Sequence, residues 1–363
     1  MSRPASFSII GGAGFRAQYY LRIAQALPEE FNISGMVVRD ESKANAIEQK
    51  WNIATYRDII QLLKSERPDF VVVATSGSAI PEYLIQLAEL GIPALVETPP
   101  AQTVEDLLDL YNKISQLESK VQVAEQYQYH PLHAARLAVI KSGRLGTITQ
   151  ATVSISHMYH GVSLIRKLLD VGFEETIIKA MRFESPVVAG PNRNGLPNKE
   201  EVIRTERDIA WLEFDGKLGI YNFTKDQHRS WIRSNHLSVR GERGEIFDHR
   251  LDVLLDFKTP LHLEFKRINK GEEENQEGHY LEGIMAGESW VYRNRFTPAR
   301  LYDDEIAIAS CLEKMIEYIS GGASFYNLAE ASQDQYLGLM IEQAIRTGKT
   351  VKTVRQPWAD VNS

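Results

Sequence analysis

Cysteine is almost absent from this chain of 363 residues, which contains only Cys311. A single thiol excludes a disulfide within the chain, and this composition fits a reducing compartment. A chain of this length buries enough apolar surface to need neither disulfides nor a structural metal. It is also long enough for two domains.

The sequence has no excess of positive charge and no long apolar run. The formal net charge is −7, whereas a nucleic-acid-binding domain usually carries a basic stripe. No run approaches the roughly 18 apolar residues of a membrane span, and Met1–Ser6 lacks the basic and apolar regions of a signal peptide. We therefore expect no nucleic-acid partner, no membrane segment and a location in the cytoplasm.

Two hydrophobic patterns divide the chain. Up to about Glu97, short β-rich runs alternate with amphipathic helical stretches, which is typical of a parallel sheet with helices on both faces. From Gln150, longer alternating runs separated by turns indicate an open, largely antiparallel sheet. The sequence thus predicts an α/β protein with an N-terminal Rossmann domain over 1–124. A C-terminal α/β domain with a large, mostly antiparallel open sheet follows over 125–363, and its final helices are free to pack back on the first domain.

A glycine-rich turn follows the first predicted strand. Gly12, Gly14 and Ala17 fit the G-x-G-x-x-A form of the dinucleotide fingerprint, in which the glycines allow a tight turn and a close approach of the backbone to a pyrophosphate. The N–H groups at the start of the next helix can bind the same anion. A plain glycine turn is the alternative, but a position between strand and helix favours a cofactor site. Phe15 and Arg16, inside the turn, are counted among the cofactor residues.

The end of the second predicted strand bears on the type of cofactor. An acidic residue there usually binds a free ribose 2′-hydroxyl, whereas an arginine accommodates a 2′-phosphate. Val38 occupies the position expected for the acidic residue, and Arg39 follows it directly. A solvated loop charge is the alternative reading of Arg39. The pattern indicates NAD(P), with a slight preference for NADP.

Several further motifs, in this order and spacing, resemble those of the Gfo/Idh/MocA family (glucose-fructose oxidoreductase, inositol dehydrogenase and MocA). They are Tyr56-Arg-Asp58, Ala74-Thr-Ser-Gly-Ser78, Glu97-Thr-Pro-Pro100, Gly143-Arg-Leu-Gly146, His160 with Arg166, and Asp303-Asp-Glu305. The resemblance covers nearly the whole chain. It implies a nicotinamide cofactor, a polyhydroxylated substrate such as a sugar or cyclitol, and a homo-oligomer formed through the C-terminal sheet.

The resemblance also implies roles for individual residues. Thr75 and Ser76 would line the cofactor, although capping of the next helix explains them equally well. Glu97 would lie near the nicotinamide ribose. Gln126 and Gln128 replace the family's usual asparagine and arginine in the segment that crosses to the substrate. We assign Gln126 to the cofactor and Gln128 to the substrate, because amides bind polyol hydroxyls; ordinary crossover residues are the alternative.

Two positions depart from the pattern of the family. Thr98 replaces the usual lysine, and its hydroxyl can form a hydrogen bond but cannot serve unaided as an acid or base. Ser156 replaces the aspartate that usually precedes the catalytic histidine. His160 remains, at the start of a helix predicted over Gly161–Leu169, and imidazole can exchange a proton at cellular pH. We assign catalysis to His160 and Thr98, with a buried structural histidine as the alternative for His160.

His157 and Tyr159 flank His160 and are predicted to contact substrate. His157 and His160 could share a metal only on one helical face, and no acidic or cysteine ligand is close in sequence, so we expect no metal. A basic run flanked by aromatic residues lies further along the chain, and a solvated face, an oligomer contact or a site for an acidic ligand would each explain it. Its members are Lys225, His228, Arg229, Arg233, Arg240 and Arg243.

Two functional hypotheses follow. The first is an NAD(P)-dependent oxidoreductase that acts on CH–OH groups of a sugar- or cyclitol-like substrate, with His160 as proton carrier. The second is a catalytically silent NAD(P)-binding regulatory or sensor protein, which the family resemblance permits. Thr98 and Ser156 keep the second hypothesis open, because they remove two of the customary acid/base groups.

Overall fold

The computed structural model describes residues 3–12, 14–75, 77–117, 119–193, 195–274 and 278–360. Contacts along the chain divide it into two compact units. The first unit comprises Met1–Pro131, Ile268–Gly283 and Arg293–Ser332, and the second comprises Leu132–Arg267, Ile284–Tyr292 and Gln333–Ser363. Among the described residues, no helix has both the length and the apolar character needed to span a bilayer.

A six-stranded parallel sheet lies at the centre of the first unit. Its strands are β1 (Ala5–Ile10), β2 (Phe31–Val37), β3 (Thr55–Tyr56), β4 (Phe70–Val73), β5 (Ala94–Val96) and β6 (Val121–Val123). The helices between them are α1 (Ala17–Ala26), α2 (Glu41–Trp51), α3 (Ile59–Ser65), α4 (Ile80–Glu89) and α5 (Val104–Ser115). The strand order β3-β2-β1-β4-β5-β6 is that of a dinucleotide-binding sheet, where ligands bind beyond the carboxyl ends of the strands.

Local sequence explains these elements. All four residues of β4 are buried and β-branched or aromatic, as expected of a central strand covered on both faces. Asp40, Asp58 and Thr103 begin α2, α3 and α5 by accepting a backbone N–H with their side chains. The ring of Phe7 stacks on that of Phe70, with centroids 5.4 Å apart, and joins β1 to β4 in the core.

The remaining elements follow in chain order. The helices are α6 (Pro131–Lys141), α7 (Met158–Leu169), α8 (Asp303–Ile319) and α9 (Leu328–Thr347). The strands are β7 (Ile148–Ser154), β8 (Ile177–Val188), β9 (Val202–Phe214), β10 (Lys217–Thr224), β11 (His236–Gly241), β12 (Gly244–Phe247), β13 (Arg250–Asp256), β14 (Thr259–Lys270), β15 (Tyr280–Ala286), β16 (Ser289–Arg293) and β17 (Val351–Lys352).

These strands form an eleven-stranded sheet in the order β16-β15-β14-β13-β12-β11-β7-β10-β9-β8-β17. The pairs are mostly antiparallel, as in β8–β9 and β11–β12, whereas β7 and β10 run parallel. The fold class predicted from sequence, a Rossmann sheet followed by a large and mostly antiparallel sheet, is therefore confirmed.

Helix α7 packs on one face of this sheet, against β7 and β10. The contact is close, since a Cβ at Gly161 would lie 2.5 Å from the ring of Tyr221. Arg166 near the end of the helix donates to Asp334 at 2.7 Å, and both side chains are almost fully buried. Breaking a buried pair of this kind leaves an uncompensated charge. The pair therefore fixes α7 within the second unit.

Candidate cofactor and substrate sites

The carboxyl edge of the parallel sheet carries the cofactor candidates. The turn 11–16 follows β1, Arg39 follows β2, Thr75 follows β4, Glu97 and Thr98 follow β5, and Gln126 and Gln128 follow β6. Since the carboxyl ends of parallel strands share one edge, the structure brings these residues to one side of the first unit. Thr75 and Thr98 are half-buried there. Ser76 lies outside the described residues.

The turn after β1 leaves little room for side chains, and its closest approach is that of Gly11 to the backbone of Ala74. Gly11 has a φ of +94°, and a Cβ there would overlap the carbonyl oxygen of Ala74. A Cβ at Gly12 would lie 2.6 Å from the terminal methyl of Met36, and one at Gly14 would lie 3.4 Å from the carbonyl oxygen of Gly11. The sequence analysis identified Gly12 and Gly14 but overlooked Gly11, whose backbone conformation most requires glycine.

The start of α1 carries no acidic side chain. Arg16 occupies the N-cap position, but its side chain forms no capping hydrogen bond, and the first turn contains no acidic residue. Free N–H groups at a helix start carry partial positive charge and attract phosphate. Phe15, next to Arg16, has an exposed ring that meets Tyr19 edge to face. This geometry suits the pyrophosphate of a dinucleotide.

Both carboxylate oxygens of Glu97 bind side chains at the start of α1. Oε2 accepts from Nε of Arg16 at 2.9 Å, and Oε1 accepts from the hydroxyl of Tyr20 at 2.6 Å. Burial alone would lower the pKa of Arg16, but the charge of Glu97 raises it. Burial, reinforced by the same carboxylate, also raises the pKa of Tyr20. Glu97 therefore holds Arg16 in place as a permanent cation.

Several buried polar atoms of this unit have no hydrogen-bond partner among the described residues, and three of them belong to predicted cofactor or substrate residues. They are Nη2 of Arg16, Oε1 of Gln126 and Nε2 of Gln128. Buried polar atoms are nearly always satisfied, by protein, water or ligand. A dinucleotide offers phosphate oxygens to a guanidinium and ribose hydroxyls to an amide. The residues present therefore fit the cofactor that the turn implies.

Two arginines lie at the end of β2. Arg39 is exposed, and Nη1 of Arg57 donates to the carbonyl of Val38 at 3.2 Å. The carboxylate of Asp40 accepts the N–H of Lys43 at 2.9 Å and so caps α2. The carboxylate of Asp40 is thus engaged in capping α2, and two cationic side chains lie near the end of β2. Sequence reasoning missed Arg57, although it belongs to the quoted Tyr-Arg-Asp motif.

A half-buried histidine next to the predicted glutamines was also missed. His130 stacks on Tyr127, with ring centroids 4.9 Å apart, and its Nε2 lies 3.4 Å from Oδ1 of Asp304 at the start of α8. Burial lowers the pKa of His130, against the opposing effect of Asp304. The sequence feature that could have identified His130 is its position directly before Pro131, at the end of the segment that contains Gln126 and Gln128.

Three imidazole rings lie together in the second unit. His157 is the N-cap residue of α7 and His160 lies in its first turn, with ring centroids 4.9 Å apart. The ring of His228, between β10 and β11, lies 5.9 Å from that of His157. His160 is buried, whereas His157 and His228 are exposed. The helix begins at Met158, three residues before the predicted start, because His157 already has the extended conformation of a cap.

Aromatic rings contact this cluster. The buried ring of Tyr159 meets His160 edge to face at 5.3 Å. Burial lowers the pKa of His157, and positive charge on His160, His228 and Arg193 lowers it further. In the part of the chain that the structure describes, no three His, Cys, Asp or Glu side chains are grouped so as to hold a metal ion.

The strand order and the glycine turn together are those of a Rossmann-type dinucleotide-binding fold. Residues 6–125 match the GFO_IDH_MocA model, described as an oxidoreductase family with an NAD-binding Rossmann fold. The resemblance predicted from sequence is confirmed: residues 6–125 are similar to that NAD-binding oxidoreductase family.

Similar proteins agree with this assignment. The curated protein "Putative oxidoreductase YteT" of Bacillus subtilis (strain 168) is 26% identical over 108 residues, which cover 30% of this chain and 25% of that protein. The matched segment thus spans about a quarter of that relative.

Two solved structures share the fold over nearly the whole chain. An oxidoreductase from Agrobacterium radiobacter, in complex with NAD+, L-tartaric acid and magnesium, has a TM-score of 0.67 at 16% identity, covering 96% of this chain and 98% of its own. A myo-inositol dehydrogenase from Corynebacterium glutamicum has a TM-score of 0.65 at 16% identity, covering 97% of this chain and 100% of its own.

Proposed function

We propose that the chain is an NAD(P)-dependent oxidoreductase that transfers a hydride to or from a CH–OH carbon of a sugar- or cyclitol-like substrate. The observation that carries the proposal is the fixed cation at the glycine turn: Glu97 holds Arg16 by Nε and leaves Nη2 for an anionic ligand. The inositol dehydrogenase that shares the fold supports the substrate class.

The first unit binds the cofactor in this proposal. The backbone of Gly12 and Gly14 approaches the pyrophosphate, with Phe15 and Arg16 beside it. Arg39 contacts the adenosine ribose and favours NADP. The remaining cofactor contacts come from Thr75, Ser76, Glu97 and Gln126. The bound nicotinamide supplies or accepts the hydride.

Removal of a hydride from a CH–OH carbon also releases the hydroxyl proton, so a proton carrier is required. We assign this role to His160, since Thr98 replaces the family's lysine and both oxygens of Glu97 are already bound by Arg16 and Tyr20. The hydroxyl of Thr98 binds the substrate oxygen. Gln128, His157 and Tyr159 bind other substrate hydroxyls.

We also propose that two parts of the chain have different roles. Residues 1–124 bind the cofactor, and residues 125–363 bind substrate and form a homo-oligomer through the large sheet. Met181, Phe183 and Trp211 support the oligomer, because these apolar side chains lie on one face of the β8–β9 pair and are largely exposed. Exposed apolar patches of this kind commonly mark protein interfaces.

A substrate screen tests the function. The purified chain is incubated with NAD+ or NADP+ and a panel of aldoses, polyols and cyclitols, and absorbance is followed at the nicotinamide band. We expect turnover on at least one neutral or acidic polyol, and turnover reduced by about 10²–10⁴ in the His160→Ala variant. Tight cofactor binding without turnover on any substrate would instead support the regulatory function, which the replacements Thr98 and Ser156 favour.

A further inference from the structure

We propose that a cavity on the face of the large sheet opposite α7 binds the phosphate group of a small hydroxylated molecule, with Arg207 and Arg233 as the anion contacts. The cavity has a volume of about 440 Å³ and lies wholly within the second unit. The inference goes beyond the proposed oxidoreductase and does not depend on it, because the cavity lies on the other side of the sheet from His160.

The alternation of side chains in β10 separates this cavity from the histidines of α7. A Cβ at Gly161 in α7 would lie 2.5 Å from the ring of Tyr221, so Tyr221 faces the helix. Successive side chains of a strand point to opposite faces. Asn222 and Thr224, which line the cavity, therefore face away from α7. A ligand bound there is out of reach of His160 and is not the molecule that is turned over.

Buried polar side chains form part of the wall of the cavity. Ser154 at the end of β7, Thr224 at the end of β10 and Gln227 just beyond it are all buried. Nε2 of Gln227 donates to the carbonyl oxygen of Ser154 at 2.8 Å and to that of Ser234 at 2.9 Å. This amide thus ties the connection between β10 and β11, which contains Arg233, to strand β7.

Arg207 reaches the cavity from β9 without an acidic partner. Its chain neighbours Glu206 and Asp208 point to the other face of the sheet, where both pair with Arg182. Nε of Arg207 donates to Oδ1 of Asn222 at 2.7 Å, and this guanidinium forms no ion pair with the described residues. The amide therefore holds the guanidinium by Nε and leaves its two terminal nitrogens for a ligand.

Arg233 is the second cation of the cavity. Its side chain is half-buried, and Nη1 donates only to the carbonyl oxygen of Ile232 at 3.1 Å, with no ion pair to the described residues. His236, the remaining basic residue of the lining, is already paired with Asp248. None of the described residues that line the cavity is an aspartate or a glutamate. Two arginines therefore meet in a cavity that offers them no carboxylate.

The chemistry of the lining matches a phosphate monoester on a hydroxylated body. Such a group has a charge of about −1.5 to −2 at neutral pH, and arginine binds its oxygens in pairs. The hydroxyls of Ser185 and Thr224 also line the cavity and can bind ligand hydroxyls. Phe183 and Ile232 are exposed apolar side chains at its border and can cover a carbon skeleton. The ligand is therefore a phosphorylated sugar or polyol.

Three probes that differ only at carbon 6 test the proposal: D-glucose, D-glucuronate and D-glucose 6-phosphate. Binding to the full chain is measured by calorimetry at constant ionic strength and about pH 8, where the phosphate is a dianion. We expect glucose 6-phosphate to bind about tenfold more tightly than either other probe, since it alone has two negative charges for the two arginines.

Variants of the two arginines locate the phosphate. Arg207→Gln and Arg233→Gln should each weaken the binding of glucose 6-phosphate about tenfold and leave that of glucose unchanged. Arg204→Gln is the matched control, because Arg204 lies on the same strand as Arg207 but is paired with Glu184, and it should change neither affinity. Circular dichroism checks that each variant is folded.

Two further variants separate the cavity from the other sites. Gly14→Val and His160→Ala should keep the affinity for glucose 6-phosphate, because the glycine turn and α7 do not line the cavity. Loss of phosphate binding in Gly14→Val would place the probe at the turn and overturn the proposal. Phosphate binding without turnover on any substrate would sustain the cavity and contradict the oxidoreductase. Turnover without a preference for glucose 6-phosphate would sustain the enzyme and overturn the cavity.

The oligomeric state is the last readout, because Phe183 also belongs to the face proposed for the oligomer. We expect Arg207→Gln to keep the oligomeric state of the wild type in sedimentation velocity. A variant that loses the oligomer together with phosphate binding would assign Arg207 to a contact between copies and overturn the site. Equal binding of all three probes, or a phosphate preference that survives both arginine variants, would overturn it as well.

Discussion

Glu97 binds Arg16 through Nε, at 2.9 Å, so that Nη2 of the same guanidinium stays buried without a hydrogen-bond partner among the described residues. The second oxygen of Glu97 accepts from Tyr20 at 2.6 Å. The carboxylate is thus committed to the start of α1. It acts as a positioning group for a cation next to the glycine turn.

Glu97→Gln should lower the free energy of unfolding and weaken NAD(P)H binding. Glutamine keeps the shape but leaves the part-buried Arg16 without its counter-charge, which costs about 1–3 kcal/mol. Urea denaturation followed by circular dichroism measures the loss. Glu30→Gln is the control, since Glu30 pairs with Arg295 at the surface and such pairs contribute about 0–1 kcal/mol. Equal effects of the two variants would contradict the positioning role.

Gly14→Val should abolish cofactor binding while the chain still folds. The Cβ at Gly14 would lie 3.4 Å from the carbonyl oxygen of Gly11, so a small shift accommodates it, but the branched side chain blocks the approach of a pyrophosphate. We expect micromolar-range binding of NADH or NADPH to the wild type by intrinsic fluorescence. Gly172→Val in the second unit is the control. A wild type that binds neither cofactor at millimolar concentration would refute the central proposal.

Arg39→Ala should weaken NADPH more than NADH. A guanidinium–phosphate contact is charge-assisted, and its loss costs about tenfold in affinity, whereas a 2′-hydroxyl has no such partner. We expect the same direction for Arg57→Ala, because this side chain lies at the end of the same strand. Arg67→Ala, elsewhere in the first unit, is the control. Equal losses of NADH and NADPH affinity would contradict the NADP preference.

His160→Ala should reduce turnover by about 10²–10⁴, the usual contribution of a positioned acid or base, and leave cofactor affinity within a few-fold. The measurement compares initial rates and cofactor titrations of wild type and variant. His262→Ala, at an exposed histidine of the same unit, serves as the control. Turnover that survives His160→Ala unchanged would remove the assigned role.

Thr98→Lys should fold, because Thr98 is only half-buried, and should raise turnover on a common sugar or inositol. The lysine restores the acid/base group that the family resemblance implies at this position. Rates on the same substrate panel decide the outcome, with thermal unfolding as the check on folding. A folded variant without increased turnover on any substrate would show that Thr98 is not the group that limits activity.

The sequence predicted the parts that depend on local pattern. The alternation of short strands with helices predicted the parallel sheet, and Gly12 and Gly14 marked the tight turn after its first strand. The strands and helices follow from the spacing of apolar residues along the chain, and the turn follows from the backbone freedom of glycine. Both features depend only on residues that are close in sequence. The change to longer alternating runs likewise predicted the second sheet.

Tertiary structure decided which distant residues meet. Only strand order brings Ala74 against Gly11, so the strongest demand for glycine in the turn could not be read locally. The same holds for Tyr20 and Glu97, which come from different elements of the first unit. His228 joins His157 and His160 because β10 lies next to β7 in the sheet. The sequence by itself thus determined the two sheets and the glycine turn. The contacts that orient Arg16 and bring the three histidines together depend on the pairing of distant strands, which the spacing of apolar residues along the chain does not specify.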